Sequence, residues 1–292
     1  MKKFIKNNYM LIIVCLIFIM SGTLSVVNYC QNSPVIKQFV LKQERNKCLL
    51  NNNQEYCDNY NYEIANRDTI STLIYNVSIS DYSSFVIIIS PLLVMIVSSI
   101  YFYQYLRRGY IINAISRIGY KKAVTTLYLK TLKYALILPM YIFIMFIVSY
   151  FLSGHFDYEL GLKLYGSIGF NATFAKHWII FIIFYIINFG LNSVFWINIA
   201  VWNIKHNKNL LVSIIVSYIE FILLDVIIEM FGVGFFQSTS YLEYFSLFNL
   251  WSFHNVTLFG GVFESLLFVI ITILIVYNAY HDKEKILEEI SK

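Results

Sequence analysis

Residues 85–122 read FVIIISPLLVMIVSSIYFYQYLRRGYIINAISRIGYKK. No charged side chain occurs from Phe85 to Tyr105, whereas Arg107 to Lys122 holds five basic residues and no acid. A helix rises about 1.5 Å per residue, so roughly 20 apolar residues cross the roughly 30 Å of hydrocarbon in a bilayer. The first half of the stretch is long enough to cross. The second half carries the kind of charge that is retained on the inner side of a membrane. Together they predict a membrane span followed by a cytoplasmic segment.

Five more runs of this kind flank it: Tyr9–Val27, Tyr134–Leu152, Trp178–Trp202, Leu210–Phe231 and Gly261–Tyr280. None alternates apolar with polar residues, which argues against the strands of an outer-membrane barrel. Hydrophobic residues make up 58% of the 292 and charged residues 13%, and the mean hydropathy is +0.63. In a soluble domain about a quarter of the residues are charged. A soluble enzyme, a nucleic-acid binder and a disordered chain are thereby excluded for the chain as a whole. The expected fold class is all-α, a polytopic membrane protein with six transmembrane helices. Pro91 and Pro139 fall inside the second and third runs. Inside a soluble helix each would cost about 3 kcal/mol, but neighbouring membrane helices re-satisfy the freed backbone, so both predict kinks rather than breaks.

The formal charge of +5 matters less in sum than in position. Lys2, Lys3 and Lys6 precede the first run. Arg107, Arg108, Arg117, Lys121, Lys122, Lys130 and Lys133 separate the second from the third, and Lys205 and Lys208 the fourth from the fifth. These twelve bases are accompanied by no acid. In the other loops Lys163 and Lys176 stand against Asp157 and Glu159, and Glu243 is alone. Six crossings with both termini cytoplasmic satisfy every loop. The 292 residues then form a single transmembrane domain in a cell membrane. It has an external loop region over 28–84, a cytoplasmic region over 106–133 and an external interfacial or re-entrant segment over 232–260.

The first run also resembles a secretory leader, but it is long and no small-x-small cleavage site follows, so a retained signal anchor is expected. In the external loop Cys48 and Cys57 are nine positions apart on the oxidising side, where a disulfide or two free thiols are both open readings. Cys15 reads as a packing residue. Asn76-Val77-Ser78 matches a glycosylation sequon, a pattern too short to mean much alone. The aromatic stretch YLEYFSLFNLWSFHNVTLF (241–259) suits the headgroup level, as an interfacial loop or as helices dipping back from outside.

On the inner side, Ile111, Ile112, Ile115 and Ile118 recur at helical spacing, which predicts an amphipathic helix over Arg107–Ile118. Gly119 then ends it, and a second helical stretch from about Lys121 leads into the third span. Attraction of the bases to anionic lipid accounts for the charge but not for this helix–glycine–helix punctuation.

With these features on one chain, the protein resembles the permease subunit of an ABC-2-type ATP-binding-cassette transporter. The likeness lies in six spans with both ends inside, the helical loop after the second span and the membrane-dipping segment before the sixth. The text SRIGYKKAVTTLYLK (116–130) is similar to the Arg-x-Gly, basic-pair, Lys pattern at the entry to the third helix in Gram-positive members. The long loop after the first helix departs from that pattern. The resemblance implies that Arg107, Arg108, Ile111, Ile112, Ile115, Arg117, Gly119, Lys121 and Lys122 form an ATPase-coupling element that docks on a separate ATPase subunit. It also implies pairing with a second permease copy or a homologous permease. ATP and Mg would sit on the partner, because this chain has no G-x-x-x-x-G-K-[ST] phosphate loop and no cofactor site of its own.

The fifth run holds Glu220, Asp225 and Glu229. Acids inside a membrane are expensive and by default suggest function, here a transport path for a cationic or amphipathic substrate such as an antimicrobial peptide or a lipid. The alternative for Glu220 is a helix–helix hydrogen bond, which Asn188 and Asn192 could supply. Two further classes stay open, a proton-coupled carrier and a bacteriocin immunity or sensing protein. A carrier would show repeat symmetry, and none is visible. An enzyme is disfavoured, since His155, His177, His206, His254 and His281 all lie in loops or at span ends with no H-E-x-x-H.

Overall fold

The computed structural model describes residues 9–30, 69–74, 76–77, 80–107, 110–154, 156, 178–236 and 258–282. In chain order the helices are α1 (Tyr9–Cys30), α2 (Thr69–Ile74), α3 (Asp81–Arg107), α4 (Tyr110–Ile118) and α5 (Tyr120–Leu132). They continue with α6 (Ile137–Ser153), α7 (Trp178–His206), α8 (Leu210–Phe236) and α9 (Leu258–Ala279). Six helical stretches are long and apolar enough to cross a membrane, and they coincide with the six predicted runs. No strand occurs among the described residues. The protein is therefore an all-helical chain of multi-pass membrane character. The ends of the runs shift by a few residues, because polar helix ends such as Asp81 and Lys205 continue past the apolar text.

The third span is one continuous helical rod from Tyr120 to Ser153. It tightens to a 3₁₀ turn at Lys133–Leu136, just before Pro139. Proline cannot donate to the carbonyl four residues back, here that of Ala135, and its ring crowds the same turn. A short 3₁₀ stretch is the local adjustment that keeps the helix going. Pro91 lies inside α3, which also continues unbroken.

The chain divides into two compact units, each described by itself. One comprises Leu16–Ile88 and Tyr141–Ile182. A seam of small hydroxyl side chains runs through it. Ser21 Oγ donates to the Tyr82 carbonyl at 2.9 Å. Ser25 Oγ lies 2.6 Å from Ser80 Oγ and donates to the Asn76 carbonyl at 3.1 Å. The Tyr29 and Thr72 hydroxyls are 3.2 Å apart. Lipid gives helices no hydrophobic reason to associate, so small residues and such hydrogen bonds hold them together. A Cβ on Gly22 would meet Met145 Sδ at 2.9 Å, so the glycine lets α1 lie close against α6. Asn76, the sequon asparagine, is buried in this seam and is a packing residue.

The other unit comprises Met1–Cys15, Ile89–Met140 and Ile183–Lys292. In it Ser265 Oγ donates to Asn188 Oδ1 at 2.7 Å, and Asn198 Nδ2 to Thr272 Oγ1 at 2.9 Å. The Tyr280 hydroxyl donates to the Val201 carbonyl at 2.9 Å. Positions on both helices advance together along this ladder, so α7 and α9 run parallel. Phe221 of α8 packs edge-on against Trp196, with ring centroids 6.0 Å apart. The opposite faces expose Leu223, Ile227, Leu267 and Leu274, as a surface in contact with lipid does.

Candidate functional site

The segment after α3 has the predicted punctuation. Helix α4 spans Tyr110–Ile118, Gly119 follows at φ +78°, and α5 begins at Tyr120. Positive φ is strained for residues with a Cβ, so glycine is the residue that suits this joint. Its amide donates to the Ile115 carbonyl at 2.9 Å, closing α4, and its carbonyl accepts from Ala123 at 3.0 Å, opening α5. The two helices are thus joined by a single residue that belongs to the hydrogen-bonding of both.

The isoleucine stripe is divided in use. Ile111 is 1% exposed and anchors α4 to its own unit. Ile115 is half-buried, while Ile112 and Ile118 are 49% and 43% exposed. Arg117, Lys121 and Lys122 are exposed beside them. Arg107 belongs to the last turn of α3 rather than to the amphipathic helix, where a cation suits the negative helix end. Arg108 lies outside the described residues, as do Cys48 and Cys57, so the external disulfide is not placed.

The end of α9 is fastened from two sides, by α5 of this element and by α7. The carbonyls at a helix C-terminus have no partner within the helix. The Tyr120 hydroxyl donates to the Tyr280 carbonyl at 2.7 Å, and Lys205 Nζ donates to the Ala279 carbonyl. The ring of Phe102 from α3 packs edge-on against Tyr280, with centroids 5.6 Å apart.

The acids of α8 separate. Glu220 is half-buried and accepts a hydrogen bond from Asn203 Nδ2. The predicted donors Asn188 and Asn192 are engaged with Ser265 instead, because α7 turns that face toward α9. Glu220 also lines a cavity of about 340 Å³ with Trp202, Asn198 and Thr272. Asp225 is 6% exposed and does not line that cavity. Glu229 is in α8, and its side chain lies outside the described part. Sequence reading missed Glu264 in α9, whose Oε2 is buried with no hydrogen-bond partner among the described residues. The signal was present: an acid inside the apolar run Gly261–Tyr280, subject to the same rule as the α8 acids.

Comparison with protein-family models, with curated proteins and with solved structures gave no match.

Proposed function

We propose that this chain is the membrane-spanning subunit of an ATP-binding-cassette exporter of the ABC-2 type, working as a pair with a second permease chain and driven by separate ATPase subunits. The observation that carries the reading is the α4–Gly119–α5 joint, with Ile112 and Ile118 uncovered next to Arg117, Lys121 and Lys122. Apolar side chains ringed by cations form a small docking surface for a cleft with some acidic character. The remaining parts of the reading are both termini and 106–133 cytoplasmic, 232–260 external at the membrane interface, and a location in the cell membrane. They rest on the basic-residue count.

Movement of a docked ATPase would press on α4. The single-residue joint passes that displacement to α5, the lower part of the third span, and the Tyr120–Tyr280 bond passes it to the end of α9. The acids Glu220 and Asp225 then belong to the path or its border, and the substrate class that fits is a cationic or amphipathic peptide or a lipid.

The test is whether an ATPase subunit co-purifies with this chain from its native membrane, with ATP hydrolysis measured on the reconstituted pair. Ile112→Ser with Ile118→Ser removes exposed apolar area at about 25 cal/mol per Å² and leaves every span untouched. The double variant is expected to insert normally, lose most of the bound ATPase and lose coupled hydrolysis. Retention of both at wild-type level rejects the coupling role.

A further inference from the structure

A cavity of about 400 Å³ opens between α3, α5, α7 and the end of α9, within the range of small-ligand sites. Phe102, Val201 and Val276 are buried side chains of its wall. Three of the tyrosines that line it have committed hydroxyls: Tyr120 to Tyr280, Tyr280 to Val201, and Tyr128 to Asn198 Oδ1 at 2.7 Å. Its body is therefore apolar in effect, although it is rich in phenol groups.

The rim differs. Lys121 and His281 line it, and no aspartate or glutamate does. Lys121 is exposed and makes no hydrogen bond or ion pair among the described residues. His281 is exposed as well, and its ring packs against Tyr277 at 5.3 Å between centroids. An apolar slot with donors and a cation at its mouth matches a molecule with a hydrocarbon tail and an anionic head.

We propose that this cavity holds an anionic phospholipid of the inner leaflet, with an acyl chain along Phe102, Val201 and Val276 and the phosphate at Lys121 and His281. The inner leaflet is the source because the surrounding segment carries seven bases and no acid between Lys133 and Arg107, and basic pockets between membrane helices on that side are where anionic headgroups bind. A lipid there touches both the start of α5 and the end of α9, so it braces the Tyr120–Tyr280 contact. The inference rests on the cytoplasmic placement of 106–133 and does not require an ATPase.

The experiment uses the full chain, purified and stripped of lipid, with no ATPase present. Thermal unfolding is followed after adding mixed micelles of phosphatidylglycerol, mixed micelles of phosphatidylcholine, or inorganic phosphate. A ligand that binds only the folded state raises its midpoint. Phosphatidylglycerol is expected to raise the midpoint of wild type and of Lys130→Gln, which removes a charge on α5 away from the cavity. The rise is expected to fall by at least half in Lys121→Gln and to vanish in Val276→Trp, which fills the slot. Phosphatidylcholine and phosphate are expected to have little effect on any variant. An equal rise in wild type, Lys121→Gln and Lys130→Gln overturns the site as a general effect of charge. A rise with phosphatidylcholine as large as with phosphatidylglycerol overturns the headgroup assignment, and a rise with phosphate alone overturns the lipid.

Discussion

The Tyr120 hydroxyl donates to the backbone carbonyl of Tyr280 at 2.7 Å, across 160 positions of sequence. Tyr120 is the first residue after Gly119, and Tyr280 the first beyond the end of α9. One bond therefore ties the start of the third span to the finish of the sixth. It also satisfies a carbonyl that the helix itself leaves without a donor. Tyr280 is used twice, since its own hydroxyl reaches Val201.

Tyr120→Phe keeps the ring and removes that donor, leaving a buried carbonyl unsatisfied. The expected loss is about 1 kcal/mol, read as a lower thermal midpoint in detergent. Tyr280→Phe should cost a similar amount by a different route, because it removes the bond to Val201 and keeps the carbonyl. An unchanged midpoint in Tyr120→Phe would mean the bond contributes nothing in the folded protein.

Gly119→Ala tests the joint. The space around this residue is open, with nothing within 4 Å of an added Cβ. The penalty is then backbone strain alone, about 1–3 kcal/mol, because φ +78° with ψ 160° lies in a region open essentially to glycine alone. Gly119→Asn should lose a similar amount, since asparagine tolerates the left-handed helical region and not this one. Equal stability of the alanine and glycine forms would show that the positive φ is not needed.

For the α8 acids, Asn203→Leu removes the donor and leaves the Glu220 carboxyl against an apolar cavity. It should destabilise the protein by about 2 kcal/mol more than Glu220→Gln, which keeps an acceptor for Asn203. If these acids border the path, Glu220→Gln combined with Asp225→Asn should express and fold but transport poorly. Wild-type transport by that pair would leave the acids only a packing role.

Orientation is tested by thiol labelling. With Cys48 and Cys57 external, a membrane-impermeant reagent should label them in intact cells after reduction. A cysteine placed by Lys122→Cys should react only after lysis. The reverse pattern would invert the topology and remove the inner-side assignment of Lys121 as well.

Much of the fold was legible because a membrane span is a one-dimensional signal. Roughly 20 uncharged apolar residues announce themselves without any knowledge of their neighbours. The joint at Gly119 was legible for a similar reason, since isoleucine spacing on one side and a glycine at its end are local patterns. The division of labour among Ile111, Ile112, Ile115 and Ile118 was not, because all four look alike until a neighbouring helix covers one. Helix α2 escaped notice for the same reason. Its six residues, TISTLI, are too short to stand out within a polar loop, and burial of Thr69, Thr72 and Leu73 is what marks it as packed structure.

The sequence by itself determined the helical class, the six runs, the loops in which the bases gather and the break between α4 and α5. Each of these follows from local hydrophobicity, charge or backbone preference. Only the tertiary structure decided that Asn203, and not Asn188 or Asn192, meets Glu220, and that Tyr120 meets Tyr280. Several asparagines and many tyrosines compete for such partners in a chain with 24 tyrosines. Which of them succeed depends on how each helix is rotated about its axis. That rotation is set by side-chain packing between segments far apart in the chain, and no local pattern encodes it.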